Sequence, residues 1–178
     1  MGCESDPEPR QRRQIFSPPT ALGMTELRGF RNGAPEGAPL QHMVYLTRKC
    51  EFSASHYYHN PEFSEEENRR IFGKCANLNG HGHNYTLEVT VKGEVDPKTG
   101  FVLDLKELKD VLNREVVDAL DHRHLNKEVP EFANQIPTTE NLAITIWNRL
   151  QKQLKVAQLH RVRVYELPDL FVDFYGEP

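Results

Sequence analysis

The sequence predicts an α+β domain in which an antiparallel sheet carries its helices on one face. Two observations lead there. Segments with two-residue alternation occupy both ends of residues 43–178, and two long helical stripes lie between them. The order strand, strand, helix, helix, strand, strand is that of an antiparallel α+β domain.

The elements follow in order. Val44, Leu46, Cys50, Phe52, Ala54 and His56 share one face of a first strand, with Arg48 as its polar exception. Ser64 followed by Glu65, Glu66 and Glu67 reads as the capped, acidic start of a short helix that runs to about Phe72. From Tyr85 to Val91 the alternation returns, with Tyr85, Leu87, Val89 and Val91 on one side. Asp96-Pro97-Lys98-Thr99-Gly100 is a turn. Asp104 caps the first long helix, with Glu107 as its capping-box partner, and the stripe is Leu105, Leu108, Leu112, Val116 and Ala119. The second begins at Thr138 or Thr139 and carries Leu142, Ile146, Trp147, Leu150 and Leu154. Two closing strands, at about 159–167 and 170–175, flank Pro168-Asp169.

Residues 1–42 differ in kind. They hold Pro7, Pro9, Pro18, Pro19, Pro35 and Pro39, contain no lysine, and their apolar residues follow no period. Such a stretch buries too little surface to offset its ordering entropy, so it is expected to be a disordered extension, with the folded unit at 43–178. The net charge of −4 and pI near 6.1 give no nucleic-acid footprint. No apolar run is long enough to span a bilayer, and no secretory signal is expected. Cys3, Cys50 and Cys75 are an odd set without paired spacing, which points to a reduced, cytoplasmic setting.

The chemistry concentrates around His81-Gly82-His83. In extended chain, residues two apart project to the same side, so both imidazoles can reach one ion. His56, at the end of the first strand, is the best third ligand, and His59 is its competitor. Three neutral imidazoles suit Zn2+ and leave a fourth position open. His81-x-His83 followed by Glu88 also matches part of a cupin metal motif, but Glu88 has the opposite strand parity to His83. Cys75, in the loop leading into the histidine pair, fits three roles: a buried free thiol, a fourth metal ligand, or a base activated by a nearby cation and metal. Asp121-His122 has the makings of a proton relay, because a carboxylate orients an adjacent imidazole. Glu166 ends an apolar strand face with Val162 and Val164, so its carboxylate needs a partner, either a buried network or the N–H edge of a heterocycle.

Taken in order, Phe52-Ser53-Ala54-Ser55-His56, Phe72-Gly73-Lys74-Cys75, Asn79-Gly80-His81-Gly82-His83-Asn84-Tyr85, Leu120-Asp121-His122, Thr138-Thr139-Glu140-Asn141 and Val164-Tyr165-Glu166 resemble the motifs of the 6-pyruvoyltetrahydropterin synthase family. The resemblance spans about residues 44–176. It implies the tunnelling fold, or T-fold: a four-stranded antiparallel sheet with two long helices on one face. Three such sheets join into a barrel, and two trimers stack as a homo-hexamer with active sites between subunits. It implies a zinc-dependent lyase acting on 7,8-dihydroneopterin triphosphate, with no nucleic acid or membrane partner. On this resemblance His56, His81 and His83 hold zinc and Cys75 removes side-chain protons. Asp121 and His122 of a neighbouring chain relay them, Glu166 anchors the pterin, and Thr139 and Glu140 line its pocket. The five residues between Cys75 and His81 match the tetrahydrobiopterin-forming branch. Asp104 is more like the branch that makes 6-carboxytetrahydropterin for queuosine, which stands as the alternative. A non-catalytic module in which Cys75 closes a structural zinc site is the reading outside enzymology.

Overall fold

The structure is a computed structural model, and it describes residues 42–176. The expected extension at 1–42 therefore lies, but for His42, outside the described residues. Strands β1 (Met43–His56) and β2 (His81–Glu94) pair antiparallel along their whole length, His56 opposite His81 and Met43 opposite Glu94. Strand β4 (Gln158–Leu167) continues the sheet beside β2, and β5 (Leu170–Phe174) closes it as a hairpin.

The four-stranded expectation needs one correction. A two-residue strand, β3 (Arg123–His124), lies parallel to β1 at Ala54 and Ser55, which makes a five-stranded sheet of order β3-β1-β2-β4-β5. Two residues are too few to show a period, so the sequence could not announce it. On that flank the rest of β1, Met43 to Ser53, pairs with no described strand.

Helix α1 (Glu65–Phe72) interrupts the excursion between β1 and β2. Its Ser64 and Glu67 form a reciprocal capping box. Helix α2 (Leu105–Leu112) is capped by Asp104, whose carboxylate accepts from the Lys106 amide at 2.7 Å; the expected Glu107 return bond does not form. α2 runs on through a π-helical segment (Asn113–Val117) into a last turn, α3 (Asp118–Leu120). An α-helix turns in about 3.6 residues, so a spacing of four drifts around the axis. The wider π turn holds Leu112, Val116 and Leu120 toward the core, and Leu120 replaces the expected Ala119. At the other end Leu105 is exposed, as a first-turn residue beyond the core's reach.

After β3 come a short helix, α4 (Leu125–Glu128), and a 3-10 turn (Pro130–Phe132). The second long helix, α5 (Thr139–Leu150), is capped by Thr138 and buries Leu142, Ile146, Trp147 and Leu150. The core lies between these helices and one sheet face: Phe52 and Ala54 of β1, Tyr85, Leu87, Val89 and Val91 of β2, and Val162 and Val164 of β4. The other sheet face is polar. Glu88 stands there between Lys49 Nζ at 2.7 Å and Arg161 Nη2 at 3.1 Å, away from His83. That disposes of the cupin pattern. None of the described helices is long and apolar enough to cross a membrane.

Candidate functional site

His56 is the last residue of β1 and His81 the first of β2, and the pairing register sets them opposite each other. His83, two residues on, projects to the same side. The three ligating nitrogens lie within 4.8 Å of one another, with the His56 and His81 Nε2 atoms 3.2 Å apart. Cys75 is not part of this set, which consists of the three imidazoles.

The register is held by a backbone device at the mouth of the hairpin. Gly80 has φ +78°, in the left-handed region, and its amide donates to Asn77 O at 2.8 Å. A Cβ there would stand 3.0 Å from the His56 carbonyl and 3.2 Å from His124 Nε2. Asn79-Gly80 is a turn signature, and the sequence reading passed over it.

His56 is fully buried, and its Nδ1 donates to the Pro137 carbonyl at 2.9 Å. That bond fixes the tautomer and leaves Nε2 as a lone pair aimed at its neighbours. The Tyr85 hydroxyl lies 3.3 Å from the same Nδ1. Neither Pro137 nor Tyr85 was marked as a site residue by the sequence, because second partners of a ligand carry no spacing rule. Burial pushes the His56 pKa down to about 4, and burial also lowers His83. Both imidazoles are thus neutral near pH 7, the form that coordinates metal. His83 Nε2 is buried without a hydrogen-bond partner. An orphaned ring nitrogen beside two more imidazoles fits a metal ion well.

Glu166 sits where the β4–β5 hairpin shifts register between Tyr165 and Leu167, an irregularity that re-aims its side chain. Its Oε1 lies 3.2 Å from His83 Nε2 and 3.5 Å from His56 Nε2, while Oε2 accepts from the buried Thr139 hydroxyl at 2.9 Å. A carboxylate so placed offsets the charge of a bound cation. Glu140, next along α5, is exposed. Cys75 lies in a one-turn 3-10 helix (Gly73–Ala76), and its carbonyl accepts from the Tyr58 amide at 2.8 Å. Burial first, and the Glu166 charge second, raise its thiol pKa. In the protein alone the lowering influence is missing, and a cation held by the histidines, the metal of the expected activated base, would supply it.

Asp121 and His122 form a dyad but do not join this cluster within the chain. Asp121 Oδ1 accepts from the Ser53 amide at 2.7 Å, and its Oδ2 lies 2.8 Å from His122 Nδ1. The Ser53 carbonyl also accepts from the His122 amide, so the dyad docks along the edge of β1 away from β2, next to β3. The Ser53 amide and its neighbour hold the carboxyl below its usual range. His122 adopts φ +56°, a costly conformation for a residue with a Cβ, and its side chain is 84% exposed.

Comparison with known proteins accords with this geometry. The family model described as 6-pyruvoyl tetrahydropterin synthase matches residues 45–177. The chain is 46% identical over 142 residues to the 6-pyruvoyl tetrahydrobiopterin synthase of Homo sapiens, covering 80% of this chain and 98% of that one. It is 30% identical over 152 residues to a 6-carboxy-5,6,7,8-tetrahydropterin synthase of Rickettsia felis, covering 74% and 99%. The solved 6-pyruvoyl tetrahydropterin synthase of Caenorhabditis elegans superposes with a TM-score of 0.74 at 39% identity, over 77% of this chain and 98% of that one.

Proposed function

The chain belongs to the 6-pyruvoyl tetrahydropterin synthase family, and from that membership we propose that it converts 7,8-dihydroneopterin triphosphate to 6-pyruvoyltetrahydropterin with loss of triphosphate, using zinc. The carrying observation is the cluster of three imidazoles, His56 buried and His81 and His83 half-buried, beside Glu166, together with the half-buried Cys75. The higher identity to the pyruvoyl-forming relative than to the carboxy-forming one supports the product assigned.

His56, His81 and His83 would hold the ion. Zinc in that position supplies Lewis acidity to the substrate's side-chain hydroxyls and so acidifies the adjacent C–H bonds. Glu166, steadied by Thr139, takes the N–H edge of the pterin through paired hydrogen bonds. Thr139 and Glu140, at the start of α5, line that pocket. Cys75 removes and returns side-chain protons. Asp121 orients His122 to pass them on, acting on the site of a neighbouring chain, since the dyad makes no hydrogen bond to the histidine cluster of its own chain. The reaction is a carbon–oxygen lyase step coupled to an internal redox rearrangement, so no external electron carrier is required. A homo-hexamer built from two barrel-forming trimers supplies the neighbouring chain. Free thiols at Cys50 and Cys75 support a reducing, cytoplasmic setting.

The test is direct. Zinc-loaded protein incubated with dihydroneopterin triphosphate should release inorganic triphosphate and a 6-pyruvoyl product without acetaldehyde. Inactivity with zinc fully loaded would end the proposal. Acetaldehyde in the mixture would transfer the chain to the carboxy-forming branch.

A further inference from the structure

We propose that a groove on the flank of the Cys75 turn binds the linear triphosphate chain of the substrate and of the leaving group. The inference rests on the reaction proposed above and adds a subsite to it. The groove, of about 660 Å³, lies between α1 and the 3-10 turn, with Arg69, Lys74 and Ala76 among its lining residues. Lys74 and Ala76 are the chain neighbours of Cys75, so the groove adjoins the turn that carries the proposed base.

The sequence places two cations there for a local reason. Gly73 ends α1 with φ +57°, and its amide donates to the Arg69 carbonyl. The chain therefore doubles back, and Lys74 returns over the helical turn that carries Arg69. Arg149, Arg161 and Arg163 all find carboxylates elsewhere in the molecule. Arg69 and Lys74 find none among the described residues. Glu65 lines the same groove one turn before Arg69, at a spacing that favours an ion pair, yet it forms none. Two exposed, unneutralised cations converging on one concavity suit a multiply charged phosphate chain.

A competing role exists for Arg69, because cations in a last helical turn also offset the partial negative charge of the helix end. The experiment separates the two. In steady-state assays of the full zinc-loaded protein, Arg69→Ala/Lys74→Ala should raise KM for dihydroneopterin triphosphate by roughly tenfold and leave kcat at saturation within about twofold. Inhibition by inorganic tripolyphosphate should weaken in parallel, and the rise of KM with added salt should flatten. Glu65→Gln should act in the opposite direction, tightening tripolyphosphate inhibition, and Lys74→Arg should restore most of the loss. Arg70→Ala, on the same helix but outside the groove, is the control. An unchanged KM and unchanged inhibition in the double variant would overturn the proposal, as would lowered thermal stability with no change in either. Should the wild type fail to turn over the substrate, it is the proposed reaction that fails. Calorimetry with tripolyphosphate on wild type and double variant then still decides the groove.

Discussion

In the proposed reaction the three histidines bind the metal and Cys75 moves the protons, and two single substitutions probe that division. Cys75→Ala removes no metal ligand, so zinc content measured by atomic absorption should be unchanged. Triphosphate release should fall by about a hundredfold or more, the scale of a lost general base. Loss of zinc along with turnover would place the sulfur on the metal after all. Gly80→Ala tests the hairpin mouth. A methyl group would press on the His56 carbonyl in a backbone region that disfavours it, at a cost of about 1–3 kcal/mol. The readout is a lower thermal midpoint together with weaker zinc retention, because His56 sits on the strand that must shift. The ligand set itself was legible: an HxH pair and a strand-end histidine are a matter of parity. Pro137 and Tyr85 were not, since their hydrogen bonds to His56 depend on how α5 and β2 meet in space. The raised thiol pKa was not legible either, since it comes first from burial and then from Glu166, which is remote in sequence.

At the level of elements, alternation located β1, β4 and β5 nearly to the residue and only the middle of β2, which runs from His81 to Glu94 and not from Tyr85 to Val91, and caps located α1 and α5. What escaped were features that carry no period: the two-residue β3, the short α4 and the π segment of α2. The outer hairpin offers a pH test. Asp173 receives Arg163 through two bonds, Nε to Oδ1 at 2.7 Å and Nη2 to Oδ2 at 2.6 Å, and the guanidinium holds the carboxyl below its ordinary 3.8. On acidification the unfolded chain takes up that proton first. The pair's contribution is therefore present above about pH 4 and is lost as pH falls through the depressed value. Asp173→Asn should speed hydrogen exchange in β4 and β5 at pH 7, and its difference from wild type should shrink below pH 4. A difference constant with pH would mean the side chain acts through packing alone.

At the scale of the whole molecule, the proposed reaction draws its relay from a neighbouring chain, since the Asp121–His122 dyad makes no hydrogen bond to the histidine cluster of its own chain. Mixed assemblies test this. Cys75→Ala and His122→Ala subunits, each inactive alone, should regain activity when refolded together, since each can complete the other's site. Silence of the mixture would return the dyad to its own chain. A protein of residues 43–178 should assemble and turn over like the full chain, as measured by light scattering and triphosphate release. Failure of assembly would give residues 1–42 a role their composition does not announce. The proposed assembly is not written in one chain's periodicity, and what favours it is the placement of His122, at positive φ with an exposed ring. The flank of β1 has a further consequence inside a cell. From Met43 to Glu51 it offers amide and carbonyl groups to any extended segment it meets. A newly made subunit is therefore a client for chaperones and proteases until that edge is taken up. Substitutions that slow assembly will register first as a lower steady-state amount of protein, while each surviving molecule works at its normal rate.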